Sequence, residues 1–166
     1  TMATRSGDVD VSMIAFVMDK LGINSISEMI YTLNKESGLA GISGVSSDMR
    51  DILSVSHAKH RARLAIDIFV KDIVKYIGQY YFEMGGIDGI VFTAGIGENS
   101  AVIRKMIMER LSFMNITIDN EKNEEQDGAT VISGEDSAIT MMKIPTNEEL
   151  MIARDVMELK NKKNKC

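Results

Sequence analysis

The sequence predicts an α/β domain, rich in helix and with only a small sheet. Three observations lead there: apolar residues recur at three-and-four spacing in several long segments, short β-branched runs stand between others, and glycines punctuate the joins. The chain has 166 residues, about one domain's length, enough to bury a core. Strands separated by helices argue for α/β, yet three or four short strands are few for so many helices, and so small a sheet leaves helix faces uncovered.

Taken in order, Val9, Met13, Ile14, Val17 and Leu21 mark a first amphipathic helix that Gly22 ends. Ser25 and Glu28 form a capping-box pattern for a second, whose stripe is Ile26, Met29, Ile30 and Leu33, running to Gly38. Residues 38 to 47, rich in glycine and serine, read as a loop delivering Ser47-Asp48-Met49-Arg50 to a short helix. The longest periodic segment runs from His57 to about Met84, with Ala62, Ile66, Phe69, Val70, Ile73, Ile77 and Tyr80 on one face. Gly85-Gly86 breaks it. Ile87 to Thr93 then has the character of a buried strand, Ala94 to Asn99 that of a glycine-rich turn, and Val102, Ile103, Met106, Ile107 and Leu111 that of another helix from Ser100. Beyond it come a short strand at Ile116 to Ile118, a charged stretch from Asp119 to Asp127, and strands at Ala129 to Ser133 and Ala138 to Ile144. A last helix opens at Pro145-Thr146-Asn147-Glu148-Glu149-Leu150, and residues 160–166 form a frayed polar tail.

Composition excludes several classes. A net charge of -5 speaks against a nucleic-acid binder held by phosphate contacts, so any anion must be met locally. Cys166 is the single cysteine, which rules out a disulfide framework within the chain or a cysteine metal cluster and fits a reducing, cytoplasmic setting. No segment has the 18 or more uninterrupted apolar residues of a bilayer span, and the expectation is a soluble intracellular chain without membrane partners. The 13 methionines are scattered through helix-like segments and need no more than core filling.

Four segments could carry chemistry. The strand, glycine turn and helix over Ile87 to Leu111 can present backbone N–H groups to an anion or nucleotide, with Gly95 and Gly97 admitting close approach and Glu98-Asn99 offering polar groups; the same glycines also read as shaping a turn, and Asn99 or Ser100 as a cap. Arg5, among small polar residues in Thr4-Arg5-Ser6-Gly7-Asp8, can fork onto phosphate or carboxylate oxygens, or stand as a solvated surface arginine. Asp48 and Arg50 can hydrogen-bond a base or ribose, or Ser47 or Asp48 can merely cap a helix. Thr146 and Glu149 form a second capping box, which leaves Glu148 at a helix start, either favoured by the dipole or a hard oxygen ligand suited to Mg²⁺. His57 and His60 lack the further ligands of a zinc site.

Together, Thr4-Arg5-Ser6-Gly7-Asp8-Val9-Asp10, Phe92-Thr93-Ala94-Gly95-Ile96-Gly97-Glu98-Asn99-Ser100 and Ile144-Pro145-Thr146-Asn147-Glu148-Glu149-Leu150 resemble the acetate kinase family, as do Lys35-Glu36-Ser37-Gly38-Leu39 and Ser46-Ser47-Asp48-Met49-Arg50. The resemblance implies the ribonuclease H-like fold of the acetate and sugar kinase, Hsp70 and actin superfamily. It also implies reversible phosphorylation of acetate by ATP to ADP and acetyl phosphate, with Mg²⁺, in a homodimer. By motif, Arg5 takes the place of the arginine that stabilises the transferring phosphoryl group. Asp48, Met49 and Arg50 match nucleotide contacts, Gly95, Ile96, Gly97, Glu98 and Asn99 the adenosine-side loop, and Glu148 the magnesium ligand. Two departures flank Arg5: Ala3 stands where the family has glycine, and Val11 where it has proline. The match begins inside the family pattern, so residues 1–159 are expected to be a C-terminal nucleotide-binding domain lacking its N-terminal part, and residues 160–166 a tail. The alternatives are a propionate kinase of the same family and a non-catalytic nucleotide-binding or assembly fragment.

Overall fold

The structure, a computed structural model, describes residues 1–125 and 128–163. The chain divides into two compact units, Thr1–Gly86 and Ile87–Cys166. No helix among the described residues is long and apolar enough to cross a membrane.

The first unit is helical: α1 (Val11–Leu21), α2 (Ile26–Lys35), α3 (Gly38–Ser43), α4 (Met49–Val55) and α5 (His60–Glu83). Asp10 caps α1 through the Ser12 amide, and Gly22 closes it in the left-handed conformation at φ +67°. The apolar stripe expected of α1 is only partly covered: Ile14 and Val17 are half-buried, whereas Val9, Met13 and Leu21 are exposed. The core lies instead under α3, α4 and the first half of α5, where Leu39, Met49, Ile52, Ala62, Ala65, Ile66 and Val70 are buried. Farther along the predicted α5 stripe burial fades, and Tyr80 is 53% exposed.

Two expectations in this unit are corrected. The loop expected from residue 38 is helix α3 over Gly38–Ser43. Its first amides are satisfied by a segment some 35 residues earlier, since Leu39 donates to the Met2 carbonyl (2.8 Å) and Ala40 to that of Ala3 (3.0 Å), a support that local composition does not reveal. The capping box at Ser25 is not formed either. Ser25 occupies the cap position, but its hydroxyl makes no cap bond; the exposed first turn leaves its amides to water.

The second unit contains a three-stranded sheet in the order β1-β3-β2, with β1 (Gly89–Phe92) parallel to β3 (Thr140–Lys143) and β2 (Thr130–Val131) antiparallel to it. Registers pair Gly89 with Thr140, Phe92 with Lys143 and Val131 with Met142. Between them lie α6 (Ala94–Asn99), α7 (Ala101–Arg110), a 3-10 turn (Ser112–Met114) and α8 (Asn120–Glu124); α9 (Glu148–Lys163) follows β3. The core gathers Phe92, Ile103, Ile107, Met108, Leu111, Ile116, Ile132, Ile139 and Met141.

The strand expected at Ile116 to Ile118 reduces to one antiparallel bridge, Ile118 to Ser133. Beside it the ladder is interrupted, because the Ser133 hydroxyl accepts the Met141 amide (3.1 Å). The glycine-rich turn at Ala94–Asn99 is a six-residue helix. Of the charged stretch from Asp119 to Asp127, residues 120–124 are helical, and 126 and 127 lie outside the described residues. Helix α9 continues to Lys163, into the region expected as tail; residues 164–166, with Cys166, lie outside the described residues.

Candidate functional site

Arg5 belongs to a segment without regular secondary structure that is bound down at both ends. On one side the Thr4 carbonyl accepts the Ser37 amide (3.0 Å), and the Ser6 amide reaches the Leu33 carbonyl (2.9 Å). On the other, Asp8 accepts Tyr76 Oη–H (2.5 Å) and pairs with Lys75 Nζ (3.2 Å), contacts that hold its carboxyl below the ordinary range. Gly38 makes the docking possible: at φ +61°, a Cβ there would stand 2.3 Å from the Met2 carbonyl oxygen and 2.6 Å from that of Arg5. The backbone of Arg5 is thus fixed, while its exposed guanidinium has no hydrogen-bond or ion-pair partner among the described residues.

Asp48, Met49 and Arg50 open α4. Asp48 caps the helix through the Arg50 amide (2.8 Å), and its carboxylate also receives the Arg50 guanidinium, with Nη2 at 2.6 Å and Nε at 3.1 and 3.2 Å. Acid and base therefore satisfy each other, at the surface, and Met49 between them is buried in the core. The Arg50 side-chain bond, foremost, and its amide lower the Asp48 pKa from 3.8 to about 2. A carboxyl depressed by folding stabilises above its unfolded pKa, and that stabilisation is lost as pH falls through the folded value, here from about 3.8 down to about 2. Carboxyl-carbon NMR is expected to show Asp48 titrating near 2 and Arg50→Ala moving the midpoint up toward 3.8. An unchanged midpoint in that variant would exclude the pair as the cause.

In the second unit, α6 and the start of α9 face one cleft of about 430 Å³, lined by Ala94, Gly95 and Glu98 from α6 and by residues 146–149. A Cβ at Gly95 would meet no protein atom within 4 Å, and at Gly97 it would only touch Phe92 at 3.5 Å. Close approach at Gly95 is therefore open on the cleft side; Gly97 packs on the end of β1. The residue in left-handed conformation is neither glycine but Ala94, at φ +58°. Ser100 caps α7 through the Ile103 amide, and Asn99 turns back to the Gly95 carbonyl (2.8 Å).

The capping box expected at Thr146 and Glu149 is absent. Asn147 Oδ1 accepts the Leu150 amide (2.9 Å) and caps α9, which releases the Thr146 hydroxyl toward Glu98 Oε1 (2.5 Å) and the Thr146 amide toward the same oxygen (2.8 Å). These contacts, hydroxyl first, hold the Glu98 carboxyl below its ordinary range. Glu98, expected to face a ligand, is spent largely on Thr146.

Glu148 stands exposed on the cleft beside Glu149. Among the described residues there is no cluster of three or more His, Cys, Asp or Glu able to cage a metal. Mg²⁺ asks for no such cage, being held by one or two carboxylates together with phosphate oxygens and water. The exposed carboxylate of Glu148, with that of Glu149 beside it on an open cleft, fits that mode of binding.

Sequence reasoning missed Arg104. It is 2% exposed, and among the described residues its guanidinium bonds to neutral oxygens: Gly97 O (2.9 Å), Glu98 O (2.7 Å), Asn123 Oδ1 (2.8 Å) and Asn123 O. Burial lowers its pKa, yet a guanidinium stays charged. It ties the end of α6 to α8. A signal existed, since Arg104 falls in the stripe with Ile107, Met108 and Leu111, at a core-facing position of α7 where a charge needs partners.

The parallel pair β1 and β3 of this mixed sheet leads into a short glycine-bearing helix on one side and a carboxylate-led helix on the other, and the carboxyl ends of parallel strands are where α/β folds commonly place ligands. The fold is indeed the ribonuclease H-like α/β fold of the acetate and sugar kinase, Hsp70 and actin superfamily, present here as a partial, helix-rich domain. The acetokinase family pattern matches residues 1–154, and the chain belongs to that family. It is 54% identical over 162 residues to an acetate kinase of Fructilactobacillus sanfranciscensis, covering 98% of this chain and 41% of that protein. Among solved structures it is similar to Porphyromonas gingivalis acetate kinase, at 41% identity and TM-score 0.86, over 95% of this chain and 40% of that one. A propionate kinase from Francisella tularensis is similar too, at 42% identity and TM-score 0.82, over 92% of this chain and 38% of that one. The chain thus spans about 40% of the length of the relatives it matches.

Proposed function

We propose that this chain is the C-terminal, nucleotide- and magnesium-handling part of an acetate kinase, which transfers a phosphoryl group reversibly between ATP and acetate to give ADP and acetyl phosphate. The observation that supports it most is the cleft of the second unit, where unobstructed Gly95 and the free carboxylate of Glu148 share one opening. Residues 1–159 then belong to one nucleotide-binding domain of a cytoplasmic homodimer, with 160–166 beyond it.

In this reading Gly95 to Asn99 approach the adenosine, Asp48, Met49 and Arg50 shape its surroundings, and Glu148 holds Mg²⁺. The metal, when bound, spreads the negative charge of the phosphates. Arg5 supplies the remaining cation: its fixed backbone and unpaired guanidinium suit a group that must meet the equatorial oxygens without reorganising. The step is in-line displacement, in which a carboxylate oxygen of acetate bonds to phosphorus as the bond to the ADP oxygen breaks; little covalent help is needed, so alignment and charge carry the catalysis.

The 166-residue chain by itself is expected to bind ADP with Mg²⁺ and to form no acetyl phosphate, whereas the full-length protein turns over. Calorimetry and a coupled assay check both statements. Robust turnover by the isolated chain would refute the assignment of the acetate site to other parts of the protein, and absence of saturable ADP binding would argue for a structural remnant. Similarity to a propionate kinase supports a second reading, and competing acetate against propionate on the full-length protein separates the two.

A further inference from the structure

We propose that Thr146 and Glu98 are positioning residues, forming a latch that holds the strained backbone at Ala94 and fixes the spacing between Gly95 and Glu148. The inference rests on reading the second-unit cleft as the nucleotide and magnesium site.

Four contacts converge on Thr146. Its amide donates to Glu98 Oε1 (2.8 Å), and its hydroxyl oxygen lies 2.5 Å from that same carboxylate oxygen, 2.8 Å from Thr93 Oγ1 and 3.0 Å from the Ala94 amide nitrogen. Proton accounting gives each bond a direction. A carboxylate only accepts, so the one Thr146 hydroxyl proton goes to Glu98. The two lone pairs of Oγ1 then take the Ala94 N–H and the Thr93 O–H, and the hydroxyl is saturated. Serine and threonine alone can supply this one-donor, two-acceptor centre at that size; asparagine and valine cannot.

The centre stands where the chain is strained. Ala94 holds φ +58° although it carries a Cβ, a conformation that L side chains rarely adopt and that persists only where the surroundings over-determine it. Its amide is taken by a residue 52 positions away. Gly95, which follows Ala94, and Glu148, two residues beyond Thr146, line the same cleft. A ligand reaching from one to the other therefore meets a distance set by Thr146, and Glu98 acts by orienting that hydroxyl.

The test compares Thr146→Val, Glu98→Gln, the double variant and Thr146→Ser in the full-length protein. In Thr146→Val, hydrogen exchange of the ligand-free protein over residues 92–99 is expected to speed by about tenfold or more, while KM for the magnesium nucleotide rises by about 10- to 100-fold, as for other residues that orient a metal ligand, and KM for acetate stays put. Thr146→Ser is expected to restore both readings, and the double variant to be no worse than Thr146→Val, because the residues act as one unit. Unchanged exchange in Thr146→Val would overturn the latch. Faster exchange with an unchanged nucleotide KM, or an equal rise in both KM values, would overturn its positioning role. Should the unaltered protein transfer no phosphoryl group from ATP, the functional reading fails instead, and exchange still decides the latch.

Discussion

Replacing Gly38 by alanine is expected to unseat the Arg5 segment and to destabilise the first unit by about 3–6 kcal/mol. The left-handed backbone at φ +61° costs alanine about 1–2 kcal/mol. The larger loss is steric. A Cβ at 2.3 Å from the Met2 carbonyl oxygen and 2.6 Å from that of Arg5 has only backbone to push against, so the docked segment must lift. Lifting it strips the Leu39 and Ala40 amides of their partners, at about 1–3 kcal/mol for each that stays buried, and Leu39 is fully buried. Urea denaturation read by circular dichroism measures the loss. Gly22→Ala is the control: its φ of +67° is similar, but no atom lies within 4 Å of the added methyl, and a loss of about 1 kcal/mol is expected. Equal losses at the two sites would show that conformation alone, not the docked segment, makes Gly38 necessary.

Arg104→Met is expected to cost about 3–5 kcal/mol and to lower the melting temperature by roughly 10 °C. The thioether fills much of the space but leaves the Gly97, Glu98 and Asn123 carbonyls and the Asn123 amide oxygen without their donor. Arg104→Lys retains the charge on a single nitrogen and cannot fork to α6 and α8 together, so it is expected to recover less than half of the loss. Thermal unfolding of the three proteins checks the order. Full recovery by lysine would mean that charge, not the planar set of donors, holds α6 in place.

Much of the fold can be read from the chain, and what escapes does so for physical reasons. Helices α1, α2, α5, α7 and α9 and the strands β1 and β3 announce themselves through apolar period and glycine stops, which are local. Helix α3 does not, because its amides are capped by Met2 and Ala3. The family motifs stood out in the sequence, but the internal duties of their side chains did not. Thr146 satisfies the capping-box pattern, yet a carboxylate 48 residues away outcompetes the local bond, and Asn147 takes the cap. Asp48 and Arg50 look like two free polar groups until geometry pairs them. Arg104 was hidden because a charged residue on a helix is ordinarily solvated, and only its neighbours in the stripe show that this one is not.

The parallel register of β1 and β3 has one more consequence, for how such a site survives change in the chain between its halves. Phe92 stands beside Lys143, so the residues that leave the two strands start out neighbours, separated by one interstrand spacing of about 4.8 Å although half a hundred residues of sequence intervene. Everything from α7 to β2 hangs from that junction as a side excursion. Loops there can lengthen, shorten or take an insertion in the exposed turn at Glu135 and Asp136 while both cleft-lining segments keep their places. Evolution can remodel the exposed loops of the excursion, provided it leaves the two strand ends abreast and keeps Arg104 and the buried residues of α7 in place.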